Sequence, residues 1–177
     1  VEVTKRLLER YPDTRMLIAS SSSAYEPHLN PYAASKNIVE EAASCYSNRL
    51  CMRFHTVYSD NPRKGMFMQK YLDGELEYVT NHYRDFIHIE DLCDAIELCM
   101  NSKYKGEIDI GTGHPFRIRD FVEDLPIRLN TPNERQWTCA NTEKIKTLGF
   151  KPKYSVEKLL TNSRLGNIIE FNNGETV

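Results

Sequence analysis

A short apolar strand that ends in serines, followed by a capped helix, constrains the fold of this chain more than any other feature. Residues 16–19 are apolar and four serines follow at 20–23, a pattern typical of a buried parallel strand. Asn30 and Pro31 then supply a helix N-cap and a first-turn proline, which predict a helix over residues 32–47. A second strand is predicted over 50–57. Strands that alternate with helices in this way indicate a parallel sheet of the α/β class.

The same alternation extends through most of the chain. Apolar residues at helical spacing predict helices over 3–10, 66–72 and 85–100, and short apolar runs predict strands over 77–80 and 108–110. After Gly113 the pattern becomes less regular. Helices are predicted there near 118–125, 142–148 and 156–165.

Composition excludes several classes of function. A net charge of −2 over 177 residues gives no electrostatic basis for binding nucleic acid or an anionic membrane. The apolar runs are too short for a membrane span or a signal peptide. The five cysteines form no Cys-x-x-Cys pair and no metal-ligand spacing with histidine. We therefore expect a cytoplasmic protein with reduced thiols and no metal site.

Two Tyr-x-x-x-Lys pairs occur, Tyr32/Lys36 and Tyr154/Lys158, and chance alone supplies about one in a chain with ten tyrosines. Residues four apart share one face of a helix. A lysine ammonium in that position favours the phenolate form of the tyrosine, which can then act as a general base. Tyr154 has no serine-bearing strand before it, so we expect it to pack a surface helix.

The setting of Tyr32 favours a catalytic interpretation. Serines at the carboxyl end of a parallel strand lie where open α/β sheets bind their ligands, and one of them can hydrogen-bond a reacting oxygen. The alternative is a serine-rich loop followed by a capped helix that merely exposes a tyrosine and a lysine. The serine strand, the Asn-Pro cap and the α/β alternation together favour catalysis.

Six segments carry a resemblance to a known family. In order they are SSSSAY (20–25), NPYAASK (30–36), RFHTVYS (53–59), RDFIHIEDLCDAI (84–96), DIGTG (109–113) and LGFKPKYSVEKLL (148–160). The chain resembles the extended short-chain dehydrogenase/reductases, in particular the NAD-dependent nucleotide-sugar epimerase/dehydratase group. That resemblance implies the second half of a Rossmann-type parallel sheet with a smaller C-terminal substrate-binding region. Residues 1–60 and 85–112 would form the partial NAD-binding domain, and residues 61–84 and 113–177 the substrate-binding region.

Roles follow from the resemblance by position. It implies Tyr32 as the base, Lys36 as the ligand of the cofactor ribose, and Ser21, four residues before Tyr25, as the catalytic serine. Tyr32, Lys36 and His55 would contact the cofactor, which is NAD, with NADP possible. The implied substrate-binding residues are Ser21, Ser22, Thr56 and Arg84. For Arg84, which would bind the nucleotide diphosphate, the alternative is a salt bridge at a helix start such as Asp85.

Other positions refine the expected chemistry. Dehydratases of this group tend to carry a carboxylate just after the catalytic serine, whereas Ser22 and Ser23 follow here, which favours epimerase or reductase chemistry. The Gly111-Thr112-Gly113 turn lacks a third glycine at position 116 and is rejected as a phosphate cradle. His88 is expected to be a packed histidine with satisfied ring nitrogens.

No Gly-x-Gly-x-x-Gly loop follows any strand, and the chain does not begin with methionine. We therefore expect a fragment that, alone, binds NAD poorly. The segment Tyr25-Glu26, the short loop before Tyr32 and Thr56 in place of the usual asparagine depart from the group and indicate an altered pocket.

The leading hypothesis is an NAD-dependent nucleotide-sugar epimerase that transiently oxidises and then reduces C4 of the sugar. Two alternatives stay open: an NAD(P)-dependent keto-sugar or carbonyl reductase, and a non-catalytic nucleotide-binding relative. The resemblance also implies a homodimer formed through the helix that bears Tyr32, in the full-length protein.

Overall fold

The computed structural model describes residues 1–122 and 124–158 as a mixed α/β protein, which confirms the predicted fold class. Its strands are β1 (Met16–Ser21), β2 (Arg49–Phe54), β3 (Thr56–Tyr58), β4 (Tyr83–His88), β5 (Gly106–Ile110) and β6 (Pro115–Arg117). Its helices are α1 (Glu2–Arg10), α2 (Pro31–Ser44), α3 (Phe67–Leu72), α4 (Ile89–Asn101) and α5 (Glu143–Thr147). Short 3₁₀ turns cover Ser22–Tyr25 and Ile118–Phe121.

The first sheet has the order β1-β2-β5 and is entirely parallel, with Met16 opposite Arg49 and Leu50 opposite Gly106. Side chains of a strand alternate between faces, and β2 shows the result. Leu50 and Met52 belong to the core formed with α4, whereas Cys51 belongs to the core formed with α1 and α2. The sheet is therefore a middle layer between helices, and among the described residues β1 and β5 are its edge strands.

The second sheet has the order β3-β4-β6, with β3 parallel and β6 antiparallel to β4. The strand predicted over 50–57 divides at His55 into β2 and β3, so that one run of residues passes from the first sheet to the second. The His55 amide donates to the Ile110 carbonyl at 3.0 Å, which fixes this crossing against β5. A separate core that is rich in aromatic side chains lies under the second sheet.

The helix predicted over 85–100 was wrong at its beginning, because residues 83–88 form β4. Four consecutive residues, 85–88, are buried, which suits a strand covered on both faces rather than an amphipathic helix. Helix α4 begins only after His88, whose ring accepts a hydrogen bond from the Glu90 amide at 3.3 Å. The expected domain boundary between residues 84 and 85 falls inside β4; the division into domains stays a prediction.

Two further element predictions differ from the structure, and a third lies mostly outside the described residues. Residues 77–80 form no strand but a single bridge between Val79 and Ile127. The region near 118–125 begins with a 3₁₀ turn in place of an α-helix. The helix predicted over 156–165 lies mostly outside the described residues, since only its first three positions are described.

A fully buried carboxylate, Asp85, holds the second sheet to the segments beside it. Its Oδ1 accepts from the Thr112 amide at 2.8 Å and the Thr112 hydroxyl at 2.7 Å. Its Oδ2 accepts from the amides of Gly113 at 2.8 Å and Ala140 at 2.9 Å. A Cβ at Gly111 would lie 2.8 Å from Asp85 Oδ2, so the turn has no room for a side chain there. The glycine turn therefore binds an internal carboxylate, in agreement with its rejection as a phosphate cradle.

Candidate active site

Two adjacent cavities, called here the two lobes of the cleft, open at the carboxyl ends of β1 and β2. The first lobe has a volume of about 620 Å³ and the second about 220 Å³. Both are lined by Ser21, Phe54, His55 and Thr56, so the lobes meet at these residues. Ligands of open parallel sheets bind at this edge.

Ser21 is the last residue of β1 and faces both lobes. Its hydroxyl oxygen accepts a hydrogen bond from the Ser23 amide at 3.2 Å and so caps the 3₁₀ turn that follows. Because a hydroxyl both donates and accepts, this contact fixes the oxygen while the hydrogen remains available to a bound molecule.

Tyr32 and Lys36 lie one turn apart at the beginning of α2 and both line the first lobe. The Lys36 ammonium is 5.7 Å from the centre of the Tyr32 ring and donates to the Ala19 carbonyl of β1 at 2.9 Å. Asn30 caps the helix, since its side chain accepts from the Ala33 amide at 2.8 Å. The structure thus brings Ser21, Tyr32 and Lys36 to one cavity; their catalytic roles stay predictions.

The second lobe contains two arginines, each next to a carboxylate. Arg84 lies on β4, donates to the Tyr83 carbonyl at 2.9 Å and is 3.8 Å from Glu134. Burial lowers the pKa of Arg84, although its guanidinium remains charged at neutral pH. It makes no pair with Asp85, whose carboxylate is bound to other segments; its acidic neighbour is Glu134 instead, and its role in phosphate binding stays a prediction.

Arg135 is the second arginine, and no sequence pattern indicated a role for it. Its guanidinium binds Glu26 at 2.7 Å and the Ser22 carbonyl at 2.7 Å, which ties residues 22–26 to the segment after residue 130. It also faces the lobe beside Arg84. No periodic pattern marks the irregular stretch around Arg135, and only the folded chain shows that it returns to the cleft.

His55 forms part of the wall between the lobes, and its side chain is only 1% exposed. Its Nε2 is 3.6 Å from Asp109 Oδ2, a close electrostatic contact, and neither ring nitrogen has a hydrogen bond within the described residues. Asp109 also accepts from the Tyr25 hydroxyl at 2.9 Å and the Asn141 amide at 3.0 Å. A contact between His55 and a cofactor stays a prediction.

The remaining predicted substrate residues also lie in the cleft. Thr56 begins β3 and lines both lobes, whereas Ser22 is 7% exposed and lines only the second. The phenol of Tyr25 is not suited to act as a base. Its pKa is raised by burial and, to a smaller extent, by the Asp109 carboxylate.

The second Tyr-x-x-x-Lys pair, Tyr154/Lys158, has its tyrosine outside both lobes, where Tyr154 packs against neighbouring side chains. The Tyr154 ring stacks on His88 with 4.1 Å between ring centres, and its amide donates to Asp91 at 3.0 Å. His88 is 4% exposed at its side chain and is packed as expected, with Nε2 3.4 Å from Asp60. Tyr154 lines neither lobe.

Over residues 1–122 and 124–158, no cluster of histidine, cysteine or carboxylate side chains is arranged to hold a metal ion. Within the same described part of the chain, no helix combines the length and apolar character needed to cross a membrane.

Fold and site define a Rossmann-type α/β protein with a serine, a tyrosine and a lysine around one cavity at its strand ends. The family model described as the NAD-dependent epimerase/dehydratase family matches residues 3–111. The chain belongs to this family of enzymes.

Similar proteins agree with this assignment. The CDP-abequose synthase of Salmonella typhimurium is 22% identical over an alignment of 161 residues that covers 74% of this chain and 54% of that protein. A UDP-glucuronic acid 4-epimerase from Bacillus cereus, solved with UDP-glucuronic acid and NAD, has a TM-score of 0.77 at 22% identity and covers 91% of this chain. A dTDP-glucose 4,6-dehydratase from Bacillus anthracis, solved with NAD, has a TM-score of 0.72 at 19% identity and covers 90%. The chain spans 64% and 63% of those two structures.

Proposed function

We propose that this chain carries the catalytic part of an NAD-dependent nucleotide-sugar 4-epimerase. One observation carries the proposal: Ser21, Tyr32 and Lys36 line a single cavity, and a second lobe with two arginines adjoins it. Proton transfer chemistry and anion binding are therefore available side by side in one cleft.

The first lobe suits the cofactor that the family name implies. The Lys36 ammonium has three donors and uses one on the Ala19 carbonyl, so it can also hydrogen-bond ribose hydroxyls. Tyr32 and Lys36 would hold the nicotinamide end of NAD. When bound, NAD supplies the hydride acceptor and donor for the sugar carbon.

Side chains of this chain would then transfer the proton of the C4 hydroxyl and hold its oxygen. Tyr32, as its phenolate, would remove the proton from the C4 hydroxyl and later return it. Ser21 donates its hydroxyl hydrogen to the same oxygen and holds it in place. Because Ser21 is fixed by the Ser23 amide, this donor needs little reorganisation.

The second lobe would bind the diphosphate of the substrate. A guanidinium presents a planar set of donors that suits phosphate oxygens, and Arg84 and Arg135 present two of them. The neighbours solved with UDP-sugars support a nucleotide sugar as substrate. Thr56, at the junction of the lobes, would contact the part of the substrate between sugar and diphosphate.

The distribution of carboxylates favours epimerisation over dehydration. Among the described residues, the first lobe is lined by no aspartate or glutamate. Glu26 is the next carboxylate along the chain after Ser21; it lies in the second lobe and is bound to Arg135 at 2.7 Å. Removal of water from a keto-sugar requires an acid or base near the neighbouring carbons, and this lobe does not provide a carboxylate for it.

Domain organisation and assembly are part of the proposal. The first sheet with its helices would form the cofactor-binding part, and the second sheet with the irregular segments the substrate-binding part. The full-length protein would form a homodimer through α2, on which Ile38 is 48% exposed.

The test is an epimerase assay on the full gene product with NAD and a panel of UDP-, CDP-, GDP- and dTDP-sugars, with products identified by NMR. We expect conversion to the C4 epimer, and we expect Tyr32→Phe to lower kcat about 10²- to 10⁴-fold without loss of substrate affinity. Tyr154→Phe is the matched control, because it occupies the same motif outside the cleft, and it should retain kcat.

Other results would redirect the assignment. Reduction of a keto-sugar by NADPH without epimerisation would indicate the reductase alternative. Nucleotide-sugar binding without turnover, unaffected by Tyr32→Phe, would indicate a non-catalytic relative and contradict the proposal.

A further inference from the structure

Charge is distributed unevenly along the cleft. In the second lobe both arginines have a nearby carboxylate, Glu134 for Arg84 and Glu26 for Arg135. In the first lobe the charged lining residues are Lys36 and Arg63, and no aspartate or glutamate lines it within the described part of the chain. The first lobe therefore has an unbalanced positive charge.

Arg63 lies in the exposed loop between β3 and α3, at the mouth of the first lobe. Its Nη2 is 3.4 Å from the Met66 sulfur, which is a weak acceptor. Asp60, the acidic residue of the same loop, lies 3.4 Å from His88 instead. No ion pair is formed by Arg63 with any of the described carboxylates.

By contrast, both arginines of β2 have acidic partners. Arg53 binds buried Glu40 at 2.7 Å, and Arg49 binds Glu107 at 2.9 Å. Arg63 therefore lies, without an acidic partner among the described residues, at the lobe in which the proposed function places the sugar. Lys36 is already engaged by the Ala19 carbonyl and the cofactor ribose is assigned to it, which leaves Arg63 available to the substrate.

We propose that Arg63 selects a sugar that carries a carboxylate, so that the substrate class is a nucleotide-linked uronic acid. A carboxylate accepts from a guanidinium and from hydroxyl groups, and the hydroxyl of Ser59 lines the same lobe. The diphosphate has its own arginines in the second lobe, so Arg63 is not needed for it. This inference rests on the proposed function and specifies the sugar for the same site.

The experiment is isothermal titration of this chain with UDP-glucuronic acid, UDP-glucose and UDP, which differ only at or beyond the sugar. We expect UDP-glucuronic acid to bind about three- to tenfold more tightly than UDP-glucose, the range for a partly exposed charge-assisted contact. Arg63→Gln should remove this preference and leave the affinity for UDP-glucose within about twofold. Arg63→Lys should retain part of the preference.

Lys64→Gln provides the matched control, because Lys64 is the adjacent exposed cation and lines neither lobe. Thermal melts establish that each variant folds. Equal affinity of the unaltered chain for both sugars would overturn the inference, as would an equal loss in Arg63→Gln for UDP-glucose and UDP-glucuronic acid. In either case UDP binding still supports the nucleotide site. Absence of binding for all three ligands would instead refute the proposed function, and the inference with it.

Discussion

Replacement of Asp85 by asparagine tests whether one carboxylate organises the segments around the second lobe. Asp85 is fully buried and accepts four hydrogen bonds, two at each oxygen. Asparagine has nearly the same shape but offers only one acceptor oxygen, and its NH₂ group must point at one pair of donors. The Thr112 hydroxyl can rotate and accept from that NH₂, whereas the Thr112 amide cannot.

The expected cost follows from this geometry. One buried amide left unpaired costs about 1–3 kcal/mol, and the two remaining bonds lose their charge assistance, about 1 kcal/mol each. We therefore expect Asp85→Asn to lower the free energy of unfolding by about 3–5 kcal/mol, a large fraction of the 5–15 kcal/mol that is typical of a domain. Because Arg84 is the preceding residue of β4, affinity for UDP should fall as well.

Urea denaturation followed by circular dichroism measures the effect. Asp94→Asn is the control, because Asp94 is 45% exposed at its side chain and pairs with Lys153 on the surface; a loss below about 1 kcal/mol is expected there. If Asp85→Asn costs no more than Asp94→Asn, the reasoning that the four bonds hold these segments together is refuted.

Three other predictions concern acid sensitivity, thiol reactivity and the cap of α2. Burial alone would raise the pKa of Asp109, but contacts with His55, the Asn141 amide and the Tyr25 hydroxyl hold it below the ordinary value of 3.8. The stability from its ionised form is therefore lost as the pH falls below that value, and urea titrations should show a flatter acid limb for Asp109→Asn. Burial raises the pKa of Cys51 and Cys99 to about 11, so Ellman's reagent should label exposed Cys45 and Cys93 first, and simultaneous labelling would contradict the packing. Asn30→Ala should cost about 1–2 kcal/mol through loss of the cap and of the 3.0 Å bond to the Asn133 carbonyl, while Asn30→Asp, which keeps the cap, should cost less in the same denaturation assay.

The elements that sequence predicted well are those whose signals are local. The strand at 16–21 and the helix that follows Asn30 were predicted because an apolar run, a cap and a proline each act within a few residues. The start of α4 was missed because Phe86 and Ile89 fit helical spacing by coincidence. Burial on both faces of β4 is a property of the folded chain, and no single stretch of sequence displays it.

The candidate site likewise combines residues with a local sequence signal and residues without one. Ser21, Tyr32 and Lys36 lie within one strand-helix unit, so their meeting at one cavity was predictable from order and spacing. Arg135 and Glu134 come from a segment more than 90 residues further along the chain. Their approach to Ser22 and Arg84 depends on the path of the chain between the two sheets, for which the sequence carries no local pattern.

The position of β1 has a consequence for handling the protein. Within the described residues, its outer side has no neighbouring strand, and a groove of about 600 Å³ runs beside it between α1 and α2. An unpaired strand edge is a template for another strand, so a concentrated solution of this chain should be prone to self-association, which light scattering would detect. The same strand supplies the carbonyl that holds Lys36. A strand that paired with this edge would therefore disturb the position of Lys36, the candidate catalytic lysine. The aggregation state should for this reason be measured in every binding experiment on this chain.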